Sequence, residues 1–299
     1  MIKHVAMFIA ATVAASVLYL PMTSGQQTLR QQITGIAGNI SGKVGVYAEV
    51  LETKDTVSFN RDGHFPMQSV YKFPIAMAIL HQVDRRRFRL DQSIHVAKSD
   101  LIPRNGASLI RDLHPEGNFD MTLSELISHN IRASDGSACD VLLRLLGGTA
   151  KADAYVHGLG VKQMVIATTE QVQVPNEMIQ YKNWATPMAM TQLLKIFYKE
   201  PVLSDSSKNY LMDLMITSKP GAKRLKGLLP AGTVVAHKTG TSGTKNGLTR
   251  ATNDVGIITL PNGHHLAITV FVSDSKASEE EREGAIAKIA KAAYDHWSK

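Results

Sequence analysis

Segments with β-strand character lie at the two ends of this chain and helical periodicity fills its middle, and that distribution constrains the fold more than any other feature. Near the amino end, a short amphipathic helix over Thr28 to Ile36 precedes a strand over Lys43 to Glu52, a turn, and a second run over Thr56 to Asn60. Near the carboxyl end, Thr233 to Lys238, Asn253 to Leu260 and His265 to Val272 read as three strands, with Pro261-Asn262-Gly263 as the hairpin turn joining the last two. Ser278-Glu279-Glu280-Glu281 then opens a final amphipathic helix to about Trp297. From Ser69 to about Leu214 the pattern is mostly helical, with a capping-type start at Thr122-Leu123-Ser124-Glu125 and an apolar helix over Ala138 to Leu146. The expected fold is therefore α/β plus all-α: an antiparallel sheet built from both termini, flanked by helices, with an inserted helical domain. The expected boundaries are 26–66 with 215–299 for the α/β domain and 67–214 for the all-helical one. A groove between two such bodies is the natural place for a ligand.

At 299 residues and 44% apolar content, the chain can bury a sizeable core, which excludes disorder as the starting expectation. Met1-Ile2-Lys3-His4, the apolar run Val5 to Leu20 and the small residues up to Gly25 have the three parts of a secretory signal. The apolar run is short for a membrane span and has no basic stop-transfer flank. Residues 1–25 are thus expected to be a leader, cleaved after Gly25, with a soluble, periplasmic mature protein. The one cysteine, Cys139, cannot form an internal disulfide and reads as a buried, inert thiol. The formal charge is +7, with the densest positive run at Arg85-Arg86-Arg87 and Arg89. That run has no interleaved aromatics and follows a helix, so it reads as a solvated, dipole-favourable helix end and not as a nucleic-acid surface. His264-His265 and His129 are isolated, so no metal or other cofactor is expected. Nothing in the sequence demands more than a monomer.

Ser69-Val70-Tyr71-Lys72 heads the apolar run Phe73 to Leu80, placing a serine and a lysine one turn apart on one face of a helix. An alkoxide is scarce at neutral pH, and an adjacent amine is a way to take the serine proton. Ser-x-x-Lys recurs at Ser242 and at Ser273, but the first lies in a Gly/Ser/Thr turn and the second ends a β-like run. Downstream follow Ser134-Asp135-Gly136 before a helix, Glu170 in a polar, irregular stretch, and Lys238-Thr239-Gly240-Thr241 ending a strand. Together with Ser69 and Lys72, these motifs in this order resemble the class A serine β-lactamases over nearly the whole mature chain. Phe65 to Ser69, Gln180-Tyr181 with Asn183-Trp184, Arg224 to Gly227 and Ala236 to Gly243 are especially similar to the PER and VEB extended-spectrum branch.

The resemblance implies hydrolysis of a small-molecule β-lactam, penicillins and cephalosporins with an extended-spectrum range, through a Ser69 acyl-enzyme. Ser69 and Thr241 N–H groups would hold the oxyanion, Lys72 or Glu170 through a water would take the serine proton, and Ser134 would relay a proton to the departing nitrogen. Glu170 would activate the deacylating water. Lys238, Thr239, Gly240, Thr241, Gly136 and Arg224 form the implied substrate-binding set, with Thr239, Thr241 and Arg224 as candidates for the substrate carboxylate. Two departures stand out. Gly136 occupies the place of a usual asparagine, which is expected to enlarge the site, weaken binding and slow small inactivators; Val174 replaces a water-holding side chain. Asp140 resembles the branch in which the glutamate loop takes an unusual path. The aromatic that usually walls the entrance is not evident in Ile102 to Gly106, and Pro74 is expected to free the Val70 carbonyl and bend the nucleophile's helix. Trp184 reads as a packing anchor. A penicillin-binding D,D-peptidase lacking the glutamate, or a sensor that acylates without turnover, remains the alternative.

Overall fold

The computed structural model describes residues 24–299, so the predicted leader lies almost wholly outside the described residues. Five antiparallel strands form the main sheet in the order Thr56–Phe59, Lys43–Val50, His265–Ser273, Thr252–Thr259, Val235–Thr241. Both chain ends thus enter one sheet, as the distribution of strand segments predicts. Period-two alternation divides its residues between two cores. Val44, Val46, Ala48 and Val50 join Leu266, Ile268, Val270 and Val272 in a layer closed by the Ser24–Gly38 and Glu279–Trp297 helices through Leu29, Ile33, Ile286 and Ile289. The opposite face, with Ala267 and Phe271, packs under the Pro187–Lys199 helix and continues into the helical body.

That body surrounds the Lys72–Asp84 helix, whose residues Lys72 to Leu80 are all buried. Apolar residues all round such a helix leave it stable only at the centre of a bundle. The Leu123–Arg132, Gly136–Leu146, Thr149–Gly158 and Asp205–Ile216 helices enclose it. Both predicted helix starts carry reciprocal capping bonds, Thr122 with Glu125 and Ser278 with Glu281. The middle of the chain is not purely helical. Ser93–Val96 pairs with Phe119–Thr122, and Trp184–Ala185 bridges Phe65–Pro66 and Met164–Val165, because these short segments bury alternate residues against the bundle. Pro74 does not free the Val70 carbonyl. The segment opens as a 3-10 turn, Gln68–Tyr71, in which the Lys72 N–H meets the Ser69 and Val70 carbonyls, and Pro74 falls in the first α-turn, where its missing N–H costs no bond.

Candidate active site

The sheet edge and the helical body meet at a cleft of about 590 Å³, lined by Ser69, Lys72, Ser134, Glu170 and Thr241 among others. Ser69 sits in the 3-10 turn and Lys72 begins the helix after it, so the spacing read from sequence is realised at 2.7 Å from Nζ to Ser69 Oγ. Lys72 is 1% exposed and also forms an ion pair with Glu170. Burial opposes the ammonium charge, but Glu170 beside it outweighs this and raises the Lys72 pKa above the ordinary lysine value. Serine, amine and carboxylate are therefore in one line of contact, along which a proton leaving Ser69 can reach Glu170.

Across the cleft, Lys238 is completely buried, with Nζ 2.8 Å from Ser134 Oγ and 2.9 Å from the Thr239 carbonyl. Burial, joined by the positive charge of Lys72, pushes its pKa down to about 7. Ser134 adopts φ 59° and Gln68 φ 47°, left-handed conformations uncommon for side-chain-bearing residues and each adjacent to the chemistry. The Ser134 turn is held by Asp135, whose carboxylate accepts from the Ala138 N–H at 3.0 Å and the Ile110 N–H at 2.8 Å.

Val235–Thr241 is the edge strand, and one face of its backbone is open to the cleft. The Ser242 N–H donates to Ala251 O at 2.9 Å, toward the sheet. Backbone N–H directions alternate along a strand, so the Thr241 N–H points the other way, to the open edge beside the Ser69 turn. Gly240 permits this approach: a Cβ there would lie 2.3 Å from Met67 O. The Thr241 N–H is thus placed at the open edge beside the Ser69 turn.

Glu170 does not lie in irregular loop. It starts a four-residue helix, Glu170–Gln173, and is 8% exposed. Asp140, on the Gly136–Leu146 helix, supplies the cap that the local sequence lacks: Oδ1 accepts the Glu170 N–H at 2.8 Å and Oδ2 the Gln171 N–H at 2.7 Å. Burial raises the Asp140 pKa to about 7 against the opposing pull of those two N–H groups. Asn183 closes the neck of the loop, accepting from the Ala167 and Thr168 N–H groups at 2.8 and 3.0 Å.

Comparison with known proteins decides the family. Residues 28–297 match the β-lactamase enzyme family. The chain belongs to that family. It is 38% identical to the β-lactamase VEB-1 of Pseudomonas aeruginosa, over 95% of this chain and 96% of that one. It is 37% identical to the extended-spectrum β-lactamase PER-1 of the same organism, over 96% and 94% of the two. Among solved structures, a β-lactamase from Chitinophaga pinensis DSM 2588 superposes with a TM-score of 0.87 at 48% identity, covering 90% of this chain and 98% of that chain. The TLA-1 extended-spectrum β-lactamase gives 0.90 at 44% identity, covering 92% and 100%. This β-lactamase therefore has the class A fold that its motifs announce, and it hydrolyses β-lactams; the D,D-peptidase alternative is set aside.

Of the six sequence-predicted binding residues of this β-lactamase, only Thr241 lines the cleft surface; Lys238 and Gly240 are buried in the edge strand, and Arg224, Thr239 and Gly136 are buried as well. Arg224 is 4% exposed, and its guanidinium is engaged by Glu283 at 2.9 Å, the Gly240 and Asn253 carbonyls at 3.2 and 2.9 Å, and Thr241 Oγ1 at 2.8 Å. It reaches the cleft only through the Thr241 hydroxyl. Thr239 lies behind the strand with its methyl against Gly221. Gly136 is buried and does not enlarge the site, because Ile102 Cδ1 lies 2.4 Å from the position a Cβ would take there. Trp184 stacks on His64 at 3.7 Å between ring centroids, as a packing residue would. Cys139 is free and buried, and Arg85, Arg86 and Arg87 are exposed at their helix end.

Sequence reasoning missed the outer rim and the backing of this β-lactamase's cleft. Glu177, on the glutamate loop, pairs with Arg250 at 3.2 Å and Lys245 at 3.6 Å, tying the loop to the turn after the edge strand. Behind that strand, His237 Nδ1 lies 2.9 and 3.0 Å from the Asp254 oxygens in a fully buried pair. Neither contact has a local signal. Only the alternation that puts His237 and Asp254 on neighbouring strands hinted at the second. Among the described residues, no helix is long and apolar enough to cross a membrane, and no three His, Cys, Asp or Glu side chains converge as a metal site.

Proposed function

We propose that this chain is an extended-spectrum serine β-lactamase that works as an exported monomer. The contact chain Ser69–Lys72–Glu170 carries the reading. Ser69 Oγ attacks the lactam carbonyl and loses its proton to Lys72 as Lys72 passes its own proton to Glu170, or to Glu170 through a water. The tetrahedral oxyanion accepts from the Ser69 and Thr241 N–H groups. The C–N bond then breaks, and the departing nitrogen takes the Ser134 proton, with Lys238 lowering the cost of that transfer. The proton taken from Ser69 replaces the one Ser134 has given; a water activated by Glu170 then attacks the ester, its proton goes to the carboxylate, and as the ester C–O bond breaks Ser69 Oγ takes that proton back through Lys72 and leaves as the free alcohol. The substrate carboxylate is met by Lys238 charge and the Thr241 hydroxyl, which Arg224 orients. The extended range is supported by the relatives whose names carry that description. The charged, apolar and small-residue parts of residues 1–25 support export to the periplasm.

Stopped-flow hydrolysis of a chromogenic cephalosporin and of an oxyimino-cephalosporin, with intact-mass detection of Ser69 adducts, tests this reading. Steady multiple turnover of both is expected; a burst that stalls as a persistent adduct would support a β-lactam sensor instead. A second test uses pH. Lys238, with its pKa near 7, is charged below that value in the free enzyme and neutral above it. For a carboxylate-bearing substrate, kcat/KM is therefore expected to fall as pH rises through about 7, whereas a β-lactam ester without the carboxylate should show a shallower limb, left by the Ser134 proton transfer alone. Equal limbs for both would remove Lys238 from carboxylate recognition.

A further inference from the structure

The helical rim of the cleft is a loop, 102–107, held unusually firmly for a segment without regular structure. The Ile102 N–H donates to Ser137 Oγ at 3.1 Å, on the first turn of the Gly136–Leu146 helix. Arg111 NH1 donates to the carbonyls of Ile102, Pro103 and Gly106 at 3.3, 2.6 and 2.8 Å, and the Gly136 N–H donates to Ala107 O at 2.9 Å. Asn105 Nδ2 reaches across to Val174 O, at the end of the Glu170 helix, at 3.0 Å.

The side chain fixed by this network is Ile102, 2% exposed and away from the cleft surface. Its Cδ1 lies 2.4 Å from the point a Cβ on Gly136 would occupy and 2.7 Å from the equivalent point on Gly106. Glu170 Cβ is 3.5 Å from the Gly136 point, and Val174 Cγ2 is 2.6 Å from the Gly106 point. One methyl group therefore fills the space of two absent side chains, over the same two glycines that Glu170 Cβ and Val174 Cγ2 approach. A buried methyl in such a position limits how far its neighbours can move.

We propose that Ile102 is a positioning residue for Glu170: packed over Gly136, it limits the room of the glutamate stem so that the carboxylate keeps its place for the deacylating water. Asp140 fixes the backbone of the Glu170 turn by hydrogen bonds, and Ile102 packs over Gly136, one turn earlier on the same helix. The proposal rests on Glu170 being the deacylation base.

Ile102→Val removes Cδ1 and little else, so the fold is retained. Its deacylation rate is expected to fall about tenfold, with acyl-enzyme visible by intact mass, while the acylation rate changes by less than about twofold. Gly136→Ala is expected to slow deacylation as well, because the new methyl displaces Ile102. In the Ile102→Val/Gly136→Ala double variant the added methyl occupies the vacated space, so the combined loss should be well below the product of the single losses. Ile102→Leu serves as the conservative control and should restore most of the rate. Losses that multiply, or an Ile102→Val variant that slows acylation and deacylation alike, would overturn the proposal. Glu170→Gln separates the two levels of the argument. If Glu170→Gln traps the adduct and Ile102→Val does not slow deacylation, only the positioning role fails; if Glu170→Gln turns over normally, both fail.

Discussion

Replacing Glu170 by glutamine is expected to turn steady hydrolysis into a single stoichiometric burst that ends as a covalent Ser69 adduct. General-base assistance is typically worth about 10²–10⁴-fold, and deacylation should fall by that order. Acylation responds differently because of Lys72. In the intact protein, Lys72 is 1% exposed and keeps a raised pKa against burial, with Glu170 first among the groups that raise it. Glutamine removes the foremost opposition to burial, so the ammonium must either remain as a poorly paired buried charge, costing about 3–5 kcal/mol, or release its proton. Release is favoured, and it yields a neutral amine 2.7 Å from Ser69 Oγ. The variant should then acylate at a rate near that of the parent protein, with Lys72 as base. Rapid-quench mass measurement of the adduct checks this. Loss of acylation and deacylation in equal measure would instead identify Glu170, through a water, as the base for both steps.

How much of this site was legible in the sequence depended on the range of the interactions involved. The Ser69–Lys72 pair needs only three residues of helical turn, and the reciprocal caps at Thr122 and Ser278 need only four residues each, so local pattern found them. The sheet of both termini was legible because strand alternation is also local. Glu170 was read as loop because its helix has four residues and no local cap; the capping carboxylate comes from Asp140, 30 residues away. Gly136 was read as an empty place, but the side chain that fills it comes from a loop with no periodicity. Arg224 reads as a candidate for the substrate carboxylate because charge is visible in a sequence, and the hydrogen-bond partners that occupy its guanidinium are not. Each misreading concerns a contact between distant segments, where the residue type was seen and its partner was not.

Asp140→Ala is expected to damage this β-lactamase more than any other change that leaves the Ser69, Lys72, Ser134, Glu170 and Lys238 side chains in place. It strips the acceptors from the Glu170 and Gln171 N–H groups. Leaving a buried donor unpaired costs about 1–3 kcal/mol, which for a protein of this size lowers Tm by roughly 3–10 °C. The rate effect should be larger, because the turn that carries Glu170 loses its only cap among the described residues and the carboxylate drifts from Lys72; misplacement on the order of 1 Å can cost about 100-fold. Deacylation should bear that loss. Asp140→Asn keeps one acceptor and turns an amide N–H against the other donor, so it should fall between the two. Its stability should also depend on pH differently. Burial raises the Asp140 pKa to about 7, whereas an aspartate in an unfolded chain titrates near 4. Between those values the folded protein holds a proton that the unfolded chain has released, so stability falls as pH rises through that window. An amide does not titrate, and the slope should flatten in Asp140→Asn. A parallel decline in both proteins, measured by denaturant unfolding from pH 4 to pH 8, would assign the slope to other groups and leave Asp140 ionised throughout as a permanently charged cap.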